Sequence, residues 1–472
     1  MEKNDIAEIL KIALKNGGDF AELFWEHKET TAIGCEDNKI DRILSGIDEG
    51  IGIRVIYDNT SSYAYTNDVS KKRLIEVAEL AGKAAQKKRR YPDLISFYTP
   101  QAQVELPVEI PPQEVKIETK TKKVLEANNA ARKVDKRIRQ VSVGYHDVRQ
   151  KVTIANSEGV FVEDLRTRTR LSVNAVAAAE NVVQTGYNSA GGVMGFEFFK
   201  DNEPEVLGEN AAKRAVLMLS AQNAPTGKMP VVIASKAGGT MIHEACGHGL
   251  EADLVQKQLS VYANKIGEQV ASPLVTVIDD GLLPGRFGSF RYDDEGCPAQ
   301  KTRLIENGIL KEYMYDYQTA KKENRASTGN GRRESYHSRP LPRMRNTYIA
   351  PGKMNADSII KEVKEGLLVM SMGGGQVNTT TGDYVFDVAE GYIIKDGEVQ
   401  YPVRGATLTG NGPETLQIIE MVGSDFGYAI GMCGKAGQGV PVADAQPTIA
   451  VKELIVGGRG DSEKRDTKIR RL

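Results

Sequence analysis

Apolar residues recur at Ile6, Ile9, Leu10 and Ala13, one face of a 3.6-residue period, and the pattern breaks at Asn16-Gly17-Gly18. The chain is therefore predicted to open with a helix. The period then falls to two, over Ala21 to His27, Thr30 to Cys35, Lys39 to Ser45 and Gly50 to Tyr57, the last reading GIGIRVIY. Alternation of this kind predicts antiparallel strands. A second amphipathic helix is predicted from about Ser70 to Lys88, with lysines gathered at its C-terminal end, where the helix dipole favours cations. Residues 91–112 are rich in proline and irregular, and read as a connector.

The pattern repeats in a second segment, 113–224. A long polar helix is predicted from about Gln113 to Val134, followed by two alternating runs joined by Asn156-Ser157-Glu158-Gly159, a strong turn sequence. A helix from about Glu203 to Ala221 closes this segment before Pro225-Thr226-Gly227. Beyond it, in 225–472, glycine becomes dense and strands short, with one helix around residues 243–248 and another near Asn355 to Glu365. The fold class expected is α+β: a mixed helix and antiparallel-sheet region over 1–90 and 113–224, then a β-rich catalytic domain over 225–472.

Composition narrows the function. The chain has 472 residues, too many for one core. Its 62 basic residues balance 63 acidic ones, so no direct nucleic-acid partner and no anionic membrane surface is indicated. No run approaches the length of a membrane span, and the acidic N-terminus lacks the pattern of a signal peptide. The four cysteines, Cys35, Cys246, Cys297 and Cys433, show no C-x-x-C spacing, which fits free thiols and a cytoplasmic location.

Two of only five histidines lie in His243-Glu244-Ala245-Cys246-Gly247-His248. Two imidazoles and an adjacent carboxylate supply ligands for Zn²⁺ and a base for hydrolysis. The spacing is one residue longer than in the familiar H-E-x-x-H helix, so on an ideal α-helix the rings would diverge by about 140°. A π-type widening is the device expected to bring them together, eased by Gly247. A catalytic zinc usually takes three protein ligands. His27, His146, His337 and Glu251 are possible thirds, and Cys433 is the better one. It stands in the glycine-rich run GMCGKAGQG, where Lys435 is expected to favour the thiolate.

The runs MIHEACGHGLEAD, DDEGCPAQKTRLIENGIL, STGNGRRESYHSRPLPRMRNTYIAPG, GGGQVNTTTGDYVF and GMCGKAGQGVPVADAQPTI closely resemble the TldD/PmbA family, and within it the TldD-like, metal-bearing branch. The resemblance is strongest over about 226–460. It implies zinc held by His243, His248 and Cys433, and peptidase activity on unfolded or flexible peptides. It also implies pairing with a homologous chain that lacks the metal motif, with a homodimer as the alternative. Members of the family were first described as modulators of DNA gyrase, and antitoxin degradation and peptide-antibiotic processing are family themes, so a regulatory binding protein with structural zinc is the rival reading.

Glu244 is then the expected general base. Tyr336, His337, Arg332 and Arg333 form the pool of donors for substrate or oxyanion, with local ion pairing as the alternative for the arginines. Gly374 and Gly375, ahead of the strand-like run Asp383 to Val388, are expected to offer a strand edge for an extended peptide. Asp293-Asp294-Glu295 looks like a cation site on paper, but is expected to be a solvated or salt-bridged turn.

Overall fold

The structure, a computed structural model, describes residues 1–85 and 95–458. Four chain segments, β1 (Phe20–Glu36), β2 (Lys39–Tyr57), β3 (Thr60–Thr66) and β4 (Ile138–Asn156), join β5 (Phe161–Ala179) and β6 (Val182–Gly192) in one antiparallel sheet of order β3-β2-β1-β4-β5-β6. The sheet thus takes strands from both sides of the connector. Each pair of short runs predicted before residue 58 is a single long strand, 17 residues in β1 and 19 in β2. The break read at the middle of β2 is only a change of environment: Arg42 to Asp48 is largely exposed, and Gly50 to Ile56 is buried.

Alternation divides the two faces of this sheet. Leu23, Ile33, Ile51 and Ile53 lie under helices. One pair, α1 (Lys3–Leu14) and α2 (Lys71–Gly82), covers one end of the sheet, and a second pair, α3 (Ile117–Lys133) and α4 (Pro204–Leu219), covers the other. The predicted tail of α2 beyond residue 85 and the first residues of the connector lie outside the described residues. Helix α1 starts at a reciprocal cap between Glu2 and Asp5, and α4 carries a proline at its N-terminal turn, where no amide donor is needed.

The opposite face, presented by Glu22, Phe24 and Glu26, packs on the C-terminal half. There Phe24 meets Val152, Ile154, Tyr292 and Tyr336. Gly50 and Gly52 leave room for this contact, since a Cβ on Gly50 would fall 2.2 Å from the Tyr336 ring.

Among the described residues the C-terminal half holds two large sheets, beside a two-stranded ladder of Gly331–Arg332 with Leu341–Pro342. In one, Gly227–Ile233, Ile449–Gly457, Thr407–Asn411, Asp383–Lys395 and Glu365–Val377 pair in turn and the last returns to the first, closing a ring. The other has six strands, and at its edge lies the hairpin of Gly427–Lys435 and Gln438–Gln446. The α+β class and the β-rich C-terminal region agree with the sequence expectation. A short helical segment from Thr240 to Leu250 is packed between the ring and the second sheet.

Candidate metal centre

That segment changes its winding as it goes: α-helical at Thr240–Ile242, a π turn at His243–Gly247, and a 3-10 turn at His248–Leu250. The amide of His248 donates to the carbonyl of His243, the five-residue bond that defines the widening. Widening is therefore how histidines five apart come to share a face, as their spacing required. The part played by Gly247 differs from the expectation. Its backbone is ordinary right-handed helix, and its use is spatial, because a Cβ there would lie 2.0 Å from the Met344 sulfur. Gly239 does similar work at the start of the segment, allowing the strand that carries Asp444 to approach. Tyr262 donates to the carbonyl of Ala245 at 2.9 Å and satisfies a group that the altered winding frees.

The rings of His243 and His248 stand 4.9 Å apart and nearly perpendicular. Each gives its Nδ1 to a buried carboxylate: His243 to Asp444 at 2.9 Å and His248 to Glu251 at 3.1 Å. Such bonds fix the tautomer and leave the Nε2 lone pairs facing inward. Cys433 completes the group, its Sγ 3.5 Å from His248 Nε2. One ligand atom from each of the three residues lies within 4.8 Å of the other two. Two imidazoles and a thiol are a donor set suited to zinc, and the carboxylates behind the histidines are the support a metal ligand normally has. The three residues fit a metal ion.

Burial lowers both imidazoles, but Asp444 and Glu251 outweigh it and raise them, His248 to about 9, so of the three donors only the Cys433 thiol is shifted toward its ligand form. Burial pushes the Cys433 thiol up, but hydrogen bonds with His243 and His248 outweigh it and bring its pKa down to about 5. Lys435, expected to favour the thiolate, is not among the main causes of this shift. Its ammonium sits 3.0 Å from Glu251 and 2.6 Å from Asp253, so it neutralises the carboxylate behind His248 instead. Glu251, weighed from sequence as a ligand, is held behind the histidine by these bonds. Burial raises the Glu244 carboxyl, partly offset by His243 and His248, and Glu244 makes no hydrogen bond among the described residues.

The other residues singled out from sequence go elsewhere. His27 lies between Glu29 and Glu49 on the first sheet, and His146 is on β4. Tyr336 donates from its hydroxyl to Asp48 at 3.2 Å and from its amide to Glu26 at 2.9 Å. His337 bonds Ser335 and packs edge-on to Tyr65. Arg333 pairs with Glu22, whereas the Arg332 guanidinium, among the described residues, bonds only the carbonyls of Met344 and Pro441. Gly374 and Gly375 lie on Glu365–Val377, the strand that packs against the π turn. Asp293, Asp294 and Glu295 form a buried turn rather than a solvated one. Asp294 is paired with Arg166 and Glu295 with Arg54. Asp444 was not found from sequence, since nothing in its local run distinguishes it from other strand acids.

A converging His-His-Cys group backed by two carboxylates, on an α+β frame, is the makeup of a metal-dependent enzyme class. Models of the PmbA/TldA metallopeptidase family match this chain over residues 21–85 (domain 1), 110–219 (central domain) and 226–458 (C-terminal domain). The chain belongs to that family. Among its relatives is a protein of Haemophilus influenzae named metalloprotease TldD homolog, 37% identical with 93% of each chain covered. A Methanothermobacter thermautotrophicus protein named metalloprotease is 36% identical over 93% of this chain and 96% of its own. The fold also matches TldE from Thermococcus kodakarensis (TM-score 0.75, 21% identity, 96% of this chain and all of that one). A Thermotoga maritima chain named as a suspected modulator of a DNA gyrase matches with TM-score 0.80 and 24% identity, over 96% of this chain and all of that one. Among the described residues no helix is long and apolar enough to cross a membrane.

Proposed function

We propose that this chain is a zinc metallopeptidase that hydrolyses peptide bonds in unfolded or flexible peptides, with His243, His248 and Cys433 as the metal ligands and Glu244 as the general base. The observation that carries the reading is the unbonded Glu244 carboxylate beside three converging donors. A site built only for structure has no use for it. This disfavours the rival, a regulatory binding protein with structural zinc.

Zinc held by these residues would supply a Lewis acid, polarising a peptide carbonyl and making water more acidic. The chain supplies the rest. Glu244, its carboxyl raised above the usual range by burial, takes a proton from the water that attacks the scissile carbonyl and passes one to the leaving amine. Asp444 and Glu251 keep both imidazoles turned toward the ion. The peptide itself is held through its backbone. In Glu365–Val377, Leu367–Val369 pairs with Gly227–Ile233, and among the described residues the stretch around Gly374 and Gly375 has no strand partner on that edge. A homologous metal-free chain, or a second copy, encloses this edge in the cytoplasm and admits only flexible substrates.

Glu244→Gln tests the reading, since the amide keeps the shape but cannot take the proton. Hydrolysis of an unstructured peptide is expected to fall at least about 10²-fold with zinc content unchanged. Near-wild-type turnover in the variant would refute the role of Glu244.

A further inference from the structure

A cavity of about 290 Å³ lies between the first sheet and the hairpin that carries Cys433. Residues alternate along that hairpin, so Met432 and Pro441 line the cavity while Cys433 points to the metal side. Six lining residues are cationic and two, Asp294 and Glu334, are acidic. The acids are engaged already. Asp294 accepts from Arg166 and from the Arg333 amide, and Glu334 accepts from the Gly439 amide at 3.1 Å.

The arginines divide by partner. Arg166 is paired with Asp164 and Asp294, and Arg333 with Glu22. Arg168, 8% exposed, gives Nε and Nη2 to the carbonyls of Phe287 and Ser289 and leaves Nη1 with no hydrogen-bond partner among the described residues. Arg332, 3% exposed, is held by two carbonyls and forms no ion pair among the described residues. Burial and the neighbouring Arg166 lower Arg168 to about 10, while burial and Arg168 lower Arg332 to about 9, Asp294 offsetting part of each. Two guanidiniums taken out of water without a counter-ion are costly, and an anion from outside the chain would offset that cost. The walls are apolar beside them: Val148, Phe287, Met432 and Pro441.

We propose that this cavity is a carboxylate-binding site, with Arg168 as its principal donor and Arg332 as the supporting charge, and that it takes a carboxylate carried on an apolar body. A planar guanidinium fork matches a carboxylate, and the apolar walls match what the carboxylate is attached to. If the chain is a peptidase, an assumption on which the source of the ligand rests, that carboxylate is the C-terminus or an acidic side chain of a peptide. The site then anchors substrate away from the reacting bond, because it lies across the hairpin from the three donors.

The test is equilibrium binding to the zinc-loaded full chain, by calorimetry, of four probes: N-acetyl-leucine, N-acetyl-leucinamide, N-acetyl-aspartic acid α-amide and inorganic phosphate. At least one of the two carboxylates is expected to bind and the leucinamide not, and the one that binds tells C-terminus from side chain. Arg168→Gln should weaken that binding about tenfold or more, as loss of a charge-assisted bond does. Arg168→Lys, which keeps the charge, should lose less, and it serves if the glutamine variant fails to fold. Binding of phosphate alone, of no probe, or of carboxylates with equal strength in folded Arg168 variants would overturn the proposal. The last result would place the ligand elsewhere, including at the metal. Since binding is read without turnover, carboxylate binding in a chain that cleaves nothing would defeat the peptidase reading and leave the site standing. Cleavage with no carboxylate binding would do the reverse.

Discussion

Two of the buried polar clusters among the described residues are satisfied in different ways. At the join between the first sheet and the C-terminal half, Glu22, Arg54, Glu295, Arg333, Asp294 and Arg166 form a chain in which every charge meets an opposite one inside the protein. Around the π turn, Asp444 and Glu251 satisfy only the outer nitrogens of His243 and His248. Their inner nitrogens meet only the Cys433 sulfur, 3.5 Å from His248, and the Glu244 side chain makes no hydrogen bond among the described residues. A closed cluster fixes the arrangement of two layers, whereas one left open on a single side is built to meet something from outside.

The largest effect expected from this contrast is on stability, at the closed cluster. Arg333→Met leaves Glu22 short of one of its two partners in a fully buried site, and breaking a buried pair in this way costs about 3–5 kcal/mol. Denaturant unfolding should show it as a lower midpoint with an unchanged slope. An unchanged midpoint would mean that the network contributes nothing net. A smaller effect is expected at the open cluster, where Asp444→Asn weakens the support of His243 without removing a ligand. Metal affinity, read by competition with a chelator, should fall about 10–100-fold while the fold persists. Equal affinity in the two proteins would separate Asp444 from the centre.

The smallest effect is a titration. In metal-free protein the Cys433 thiol, lowered to about 5, should be ionised throughout the neutral range and protonate only as pH falls through that value. Thiolate absorbance in wild type minus Cys433→Ala reads it directly. Because the shift comes from the histidines, His248→Ala should move the midpoint upward, and a midpoint that stays near 5 would assign the shift to another cause.

Much of the open cluster was legible in the chain, because its chemistry is carried by rare residues at a fixed spacing. Five histidines are few enough for a pair with a glutamate between them to stand out, and the helical period says that five-residue spacing needs a widened turn. Its supports were not legible. Asp444 reaches His243 across 201 residues, and Lys435 serves Glu251 rather than its neighbour Cys433, pairings that only the fold decides. The closed cluster was hidden for the same reason. That Asp294 and Glu295 could be salt-bridged was legible, but their burial and their partners, Arg166 and Arg54 on strands of the first sheet, were not. Strand length failed in a different way. The polar middle of β2 leaves helix cover without leaving the sheet, and alternation alone reads that as an end.

The central claim, that His243, His248 and Cys433 form one metal centre, is tested most directly by elemental analysis of purified protein, wild type beside Cys433→Ala and Cys297→Ala. One zinc per chain is expected in wild type and in Cys297→Ala, and loss of most of it in folded Cys433→Ala. Full zinc content in Cys433→Ala would contradict it.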